Sequence, residues 1–377
     1  MPDQTLLAPI TCRPLDPADE AAWDAFVLAH PDGTFFHRAG WRQVIARAFG
    51  HATYYVLAER GSAITGVLPL ARVKTVLFGD SLISVPFCVE GGPLAADAAS
   101  AAALVAHATA LMARLSVPVM EFRAATPDGT TPDGATPDGT TPDGTTPDGA
   151  TPDGATPGWA TRDDLYVIFR KPIAADDEAN LKAIPRKQRA MVRKGIDRGL
   201  VSVLDTDPDR LHAIYAESVR NLGTPVFARR YFHILMEVFA DSADIVTILD
   251  GDTAIASVMN FYFRDQVLPY YGGGIARARS LYGNDFMYWE VMRRAAARGC
   301  RLFDFGRSKQ GTGAFAFKKN WGFTPRPLPY RFLLAPGATI PDHNPLNPKY
   351  RLFIAAWKRL PLPLAKLVGP HIVRGLG

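Results

Sequence analysis

Cysteine is scarce in this chain of 377 residues: Cys12, Cys88 and Cys300 stand far apart and are odd in number. That pattern excludes a disulfide framework and a cysteine-built metal site, and it points to a reducing, cytoplasmic compartment. The eight histidines form no His-x-x-x-His or His-Glu pair at ligand spacing, so no metal is expected. No run of about 18 apolar residues occurs, which leaves nothing to span a bilayer. The first twenty residues lack a basic region followed by an apolar core, so they do not read as a signal peptide. A Gly-x-Ser-x-Gly elbow and a G-x-x-x-x-G-K-[ST] phosphate loop are both absent. Charge of one sign is not abundant either: the net charge is +5 and the pI about 9.1. So mild an excess permits an anionic partner such as a nucleotide, a tRNA or a lipid headgroup and demands none; DNA is not expected.

What is present suits a packed globular protein, with 47% hydrophobic and 21% charged residues. The length suggests two domains. A low-complexity segment interrupts the first. From Thr126 to Gly154 the unit Thr-Pro-Asp-Gly recurs six times at a period of five, and a degenerate copy follows at Thr156-Pro157-Gly158. Pro-Asp-Gly is turn chemistry, and nothing larger than alanine or proline is available to bury. One Asp per repeat on a proline-stiffened chain gives no convergence on a calcium ion. The segment reads as a disordered insertion in a surface loop, where added length costs little closure entropy.

Around it the chain alternates helices and strands, an α/β (α+β) pattern with mixed sheets flanked by helices. Helical spacing covers Asp19 to His30 and Arg38 to Phe49, and Ala98 to Leu115 is Ala-rich. A hairpin is expected across Arg60-Gly61-Ser62 and a second across Asp250-Gly251-Asp252. The helix Ile184 to Arg198 opens at Pro185 and closes at Gly199. These signals divide the chain into a first unit of residues 1–124 plus 161–175, an insertion at 125–160, a second unit at 176–335 and a tail at 336–377.

Two stretches carry candidate chemistry. The helix at 184–198 places Arg186, Arg189 and Arg193 at helical spacing, with Lys187 and Lys194 beside them, against the single acid Asp197. Such a stripe is either a solvated face or a phosphate-binding one. Residues 302–322 pass from an apolar strand, Leu302-Phe303-Asp304-Phe305, into a glycine-punctuated loop bearing Arg307, Lys309, Lys318 and Lys319. Glycines there let backbone N–H groups approach an anion.

Asp304-Phe305-Gly306-Arg307-Ser308, Gly311-Thr312, Phe317-Lys318 and Trp321-Gly322 resemble the closing motif of FemAB-like proteins. The basic helix, Tyr271-Gly272-Gly273 and Met287-Tyr288-Trp289-Glu290 resemble the same family in the same order. So do Thr34-Phe35-Phe36-His37 with Trp41, and Val89-Glu90-Gly91-Gly92-Pro93, in the first unit. The likeness covers most of the chain outside repeat and tail, and is closest to the branch found with exosortase and exopolysaccharide loci. It implies two tandem GNAT-like domains that transfer an acyl or aminoacyl group to an amine, from acyl-CoA or aminoacyl-tRNA, with no permanently bound cofactor. The acceptor it implies is an amine on a cell-envelope or exopolysaccharide precursor. It also implies that Lys318 sits beside the reacting carbonyl or the substrate phosphates, and that Arg186, Lys187 and Arg193 bind phosphate.

An amine attacking an ester or thioester must lose a proton, and the oxyanion must be stabilised. The catalytic candidates are therefore Lys318 for the oxyanion, with Asp304 and Tyr271 (or its neighbour Tyr270) for the proton. The binding candidates are Arg186, Lys187, Arg189, Arg193, Arg307, Lys309, Tyr270 and Trp289. Each has a plainer alternative: Asp304 as a partner of Arg307, one of the adjacent tyrosines as core, and Trp289 as core. The sequence departs from a standard GNAT at Arg279-Ser-Leu-Tyr-Gly283-Asn-Asp, a poor match to the loop that receives the coenzyme A pyrophosphate. The tail mixes large apolar residues with Lys and Arg, and suits either an anionic membrane surface at the inner face or docking on the protein's own body, with docking favoured. A non-catalytic protein holding a nucleotide sugar, a nucleic acid or a polysaccharide-synthesis partner is the alternative to an enzyme.

Overall fold

The structure is a computed structural model and describes residues 8–75, 78–123, 158–341 and 351–377. The Thr-Pro-Asp-Gly repeat lies outside the described residues. Seven strands precede the middle of the chain: β1 (Ile10–Pro14), β2 (Ala52–Arg60), β3 (Ala63–Thr75), β4 (Gly79–Ser84), β5 (Leu94–Ala95), β6 (Val119–Arg123) and β7 (Trp159–Arg162). The next are β8 (Val167–Pro172), β9 (Val201–Asp205), β10 (Ala243–Asp250), β11 (Thr253–Phe263), β12 (Gln266–Gly274), β13 (Leu302–Ser308) and β14 (Pro325–Pro327), and β15 (Tyr330–Leu334) closes the series. One sheet runs β1-β2-β3-β4-β6-β15-β7, with β5 on β3; the other runs β14-β8-β13-β12-β11-β10-β9.

Both sheets follow one plan. Each has an antiparallel meander, then a strand, a crossover helix and a strand parallel to it. In the first sheet the helix Ala98–Arg114 joins β4 to β6; in the second the helix Gly283–Ala297 lies between β12 and β13. The expected hairpins are present, with Arg60 facing Ala63 and Asp250 facing Thr253. Gly61 and Gly251 take the left-handed conformation that such turns require.

Sheet membership corrects the boundaries expected from sequence. β8, within 161–175, joins the second sheet against β13, and β15, within 176–335, joins the first between β6 and β7. Trp159 and Ala160 belong to β7, so the expected insertion of 125–160 stops short of them. The two halves thus exchange strands, and neither sheet is complete without the other's segment.

They also share a core. Phe35, Phe36 and Trp41, from the first half, are buried in one cluster with Tyr231, Phe239, Phe261 and Tyr271 from the second. The ring of Phe35 stacks on Phe261 at 4.5 Å, Trp41 lies 5.3 Å from Phe239, Phe36 5.3 Å from Tyr270 and Phe49 5.0 Å from Tyr231. Aromatic pairs at such distances add to the area they bury. The Phe-Phe-His run is a single 3-10 turn held because Trp23 and Trp41 donate their ring N–H groups to the carbonyls of His37 (2.6 Å) and Phe35 (3.2 Å).

A core common to both halves makes them unfold together. Calorimetry should show one endotherm, and Phe35→Ala should destabilise the protein by about 3–5 kcal/mol while keeping that single transition. Two separable endotherms would contradict the shared core.

Candidate functional site

β12 and β13 pair only at Gln266–Leu302 and Val267–Phe303. Beyond those residues the two parallel strands are not paired with each other, which leaves a gap in the ladder in the middle of the sheet. Such a gap offers an extended substrate the hydrogen bonds of a missing strand.

The far wall of the gap is kinked. Asp304 accepts the Gly306 N–H at 2.7 Å, Gly306 has φ +66°, and the pairing of β13 with β8 slips between Asp304 and Arg307. The bulge aims two carbonyls at one point. Lys318 Nζ donates to Arg307 O at 2.9 Å and to Gly306 O at 3.2 Å. Lys318 rides on the helix Gly313–Asn320, whose first turn is capped by the Thr312 hydroxyl, which in turn donates to Lys309 O at 2.8 Å. The ammonium also sits 5.5 Å from the Phe169 ring centre. Burial pushes its pKa down to about 7; Asp304 opposes that shift and Arg307 adds to it. A lysine that changes charge near neutrality can move a proton at physiological pH.

Asp304 is only 2% exposed and is held from the other side. Arg170, on β8, donates Nε to Asp304 at 2.8 Å and its other arm to Glu90. Glu90 comes from the first half, on the loop after β4. Burial raises the Glu90 pKa; Arg170 lowers it and Asp304 raises it further. One guanidinium between two buried carboxylates therefore ties the first half to the base of the gap. Next to it, Arg307 bonds the Tyr330 hydroxyl and lies 4.6 Å from the Tyr166 ring centre, while Tyr330 donates to Val89 O at 2.8 Å. Arg123, buried, donates to Cys88 O at 2.9 Å and Glu121 at 2.7 Å. A cavity of about 170 Å³ lies among Arg123, Tyr166, Arg307, Lys309 and Tyr330, at the seam of the halves.

The sequence-derived candidates separate into four places. Lys318, Asp304, Arg307 and Lys309 come together at the bulge and the adjoining cavity, and Tyr270 lies close enough to Arg307 for their charges to interact. Tyr271 is not brought to them: its hydroxyl shares a 2.6 Å hydrogen bond with Tyr231, and its ring packs on Tyr215, Phe227 and Phe232. Burial lifts its pKa well above the usual tyrosine range, which opposes a proton-accepting role. Tyr270 is the extra residue of a bulge in the β11–β12 pairing; its ring packs on that of Tyr271 at 4.7 Å, while its hydroxyl donates to Phe87 O at 3.1 Å. Trp289 is buried in the second-half core. The fourth place is the basic helix Arg186–Asp197, whose Gln188, Val192 and Gly195 turn inward. Its outer face leaves Arg186, Lys187 and Arg193 exposed, with no acidic partner among the described residues, while Arg189 reaches Lys182 O at 3.4 Å. Asp285 fastens this helix to the Lys318 helix by accepting from Gln188 and, at 3.1 Å, from Trp321.

Glu90, Arg170, Arg123 and Tyr330 were missed as site residues. Glu90 stands inside the Val89–Pro93 motif, where an acid in a glycine-rich loop was the available signal. Nothing local marks Arg170, whose two partners lie 80 and 134 positions away.

The loop expected to depart from a phosphate-binding pattern does so in space. Residues Ala276–Ser280 form a short helix, and the N–H groups of Ala278, Leu281 and Tyr282 are spent on Ile275, Arg277 and Arg279 carbonyls.

Comparison with known proteins fits this geometry. Residues 183–319 match the acetyltransferase (GNAT) domain family, and the backbone superimposes on the crystal structure of FemX over 91% of this chain and 100% of FemX, with TM-score 0.58 at 14% identity. The chain has the tandem GNAT fold. A tandem GNAT protein from the clavulanic acid biosynthesis pathway aligns over 86% of this chain and 98% of its own, with TM-score 0.50 at 14% identity. A conserved protein of unknown function from Bacteroides thetaiotaomicron covers 87% of this tandem GNAT chain and 100% of its own, with TM-score 0.54 at 11% identity. No curated protein matches the chain.

Two outcomes check the site. The 13Cε resonance of Lys318 should titrate with a midpoint of about 7; a midpoint near the ordinary lysine value of about 10.4 would remove the neutral-range lysine. Arg170→Met leaves two buried carboxylates without their cation and should cost about 3–5 kcal/mol in denaturant unfolding, much of it recovered in the triple variant with Glu90→Gln and Asp304→Asn.

Proposed function

We propose that the chain is an N-acyl or aminoacyl transferase, moving an acyl group from an activated donor to an amine on a cell-envelope or exopolysaccharide precursor in the cytoplasm. The observation that carries the reading is Lys318, whose Nζ hangs on the two carbonyls of the bulge in β13, the strand that stops pairing with β12 after Phe303. The acceptor class rests on the resemblance to FemAB-like proteins.

The reaction asks little of the protein beyond position and charge. The amine lone pair forms the C–N bond, the carbonyl electrons move onto oxygen, and collapse breaks the bond to the leaving sulfur or ribose oxygen, which takes the proton the amine loses. Lys318 in its ammonium form donates to the oxyanion. Asp304 supports it electrostatically; with one oxygen on Gly306 N–H and the other on Arg170, it serves to position and not to collect a proton. Arg307 and Lys309 would receive an anionic part of a substrate at the cavity.

The GNAT match implies acyl-CoA as donor. A second donor, aminoacyl-tRNA, is favoured by two specific observations: the N–H groups of Ala278, Leu281 and Tyr282 are already spent, and the basic helix presents Arg186, Lys187 and Arg193 without acidic partners among the described residues. Transfer assays with acyl-CoA and charged tRNA separate the two, since binding through a phosphate backbone weakens steeply with salt.

With the productive donor, Lys318→Met should lower kcat by roughly 10²–10³-fold with little change in donor affinity. The ammonium fraction falls as pH rises through about 7, so with an acceptor amine that is already neutral the wild-type rate should fall across that range. An unchanged kcat in Lys318→Met, or a rate that rises through the same range, contradicts the role given to Lys318.

A further inference from the structure

The transfer chemistry leaves one part of the molecule unused: the tail helices Arg351–Arg359 and Leu362–Val373. Both pack on the helix Asp209–Leu222. Their inner sides are firmly seated. Trp357 is buried and donates its ring N–H to Thr224 O at 3.0 Å, and Ile354 covers Gly223 so closely that a Cβ there would stand 2.5 Å from it. In the second tail helix Ala365, Gly369 and Val373 turn inward at i,i+4 spacing. The docking on the protein's own body expected for the tail is therefore present on this side.

The opposite side has no cover. Leu364, Leu367 and Val368 lie on the other side of the helix and are 46%, 67% and 41% exposed. The second tail helix is thus apolar on both faces, the composition of a helix enclosed on every side, while one face meets water. Leu352 at 85% and Phe353 at 41% add to the exposed apolar surface from the first tail helix, as does Leu222 at 67% at the end of the helix beneath. Of ten exposed large hydrophobic residues among those described, five lie on these two helices, which makes a patch and not a scatter.

The tail sequence is also cationic. From residue 343 to 377 the sequence contains no Asp or Glu but has Lys349, Arg351, Lys358, Arg359, Lys366 and Arg374. Among the described residues, none of Lys358, Arg359 and Lys366 enters an ion pair. No helix is long and apolar enough to cross a membrane. A second copy of the chain would bring two such cationic faces together, so self-association is opposed by charge.

We propose that this face is a peripheral docking surface for an anionic phospholipid bilayer, with Leu364, Leu367 and Val368 entering the acyl boundary and the flanking Lys and Arg meeting headgroup phosphates. The inference stands apart from the transfer reading, since it uses none of the residues around Lys318.

Flotation of the full chain with vesicles tests it. Phosphatidylglycerol-containing vesicles should carry the protein at least ten times better than phosphatidylcholine vesicles, and high salt should weaken the binding. Leu364→Asp with Leu367→Asp should reduce binding at least tenfold, and Lys358→Glu with Arg359→Glu at least fivefold. Both double variants change exposed positions and should keep the wild-type melting curve. No binding to anionic vesicles, or equal binding to neutral ones, overturns the proposal. So does a concentration-dependent dimer that Leu367→Asp abolishes while vesicle binding persists.

Discussion

Phe35 stacked on Phe261 is the contact on which the rest of the molecule depends. Around it Phe36, Trp41, Phe239 and Tyr270 make one buried aromatic mass from residues of both halves. Close-packed rings of this kind do not slide: interiors pack as densely as organic crystals, so the relative position of the sheets is fixed and not merely preferred. That fixed position lets Glu90, from the first half, reach Arg170, and lets Tyr330, a strand of the first sheet, reach Arg307 in the second.

The site is then a consequence of how the sheets are completed. β8 brings Arg170 alongside β13, and the slip in their pairing creates the bulge at Gly306. The bulge turns the carbonyls that hold Lys318, and the regular pairing just before it sets Asp304 opposite Arg170. Burying charges is costly unless each finds a partner, and here one arginine serves two carboxylates. The desolvation that burdens this cluster is the same property that brings the Lys318 pKa toward neutrality.

Much of this was legible in the sequence because it is written locally. Pro185 and Gly199 marked the basic helix, glycine turns marked both hairpins, and the run from Asp304 to Trp321 marked the loop that holds Lys318. The strand exchange was not legible: β8 and β15 are short segments whose partners lie far along the chain, and periodicity says that a strand exists without saying which sheet it joins. Arg170 is hidden for the same reason. Tyr270 and Tyr271 show how fine the distinction is, since neighbouring hydroxyls of one strand end at Phe87 O and at Tyr231. The tail was legible as apolar and basic, but its pattern alone did not say which face Trp357 and Ala365 would anchor.

In the transfer reading proposed above, the donor binds at the Lys318 bulge, which Arg170 and Glu90 tie to the first half. Hydrogen exchange with and without a non-transferable donor analogue measures this directly. Added protection is expected in 85–93, on the Glu90 loop, together with 304–318, on the bulge and the Lys318 helix. Protection confined to the second half, with 85–93 unchanged at saturating analogue, would contradict it.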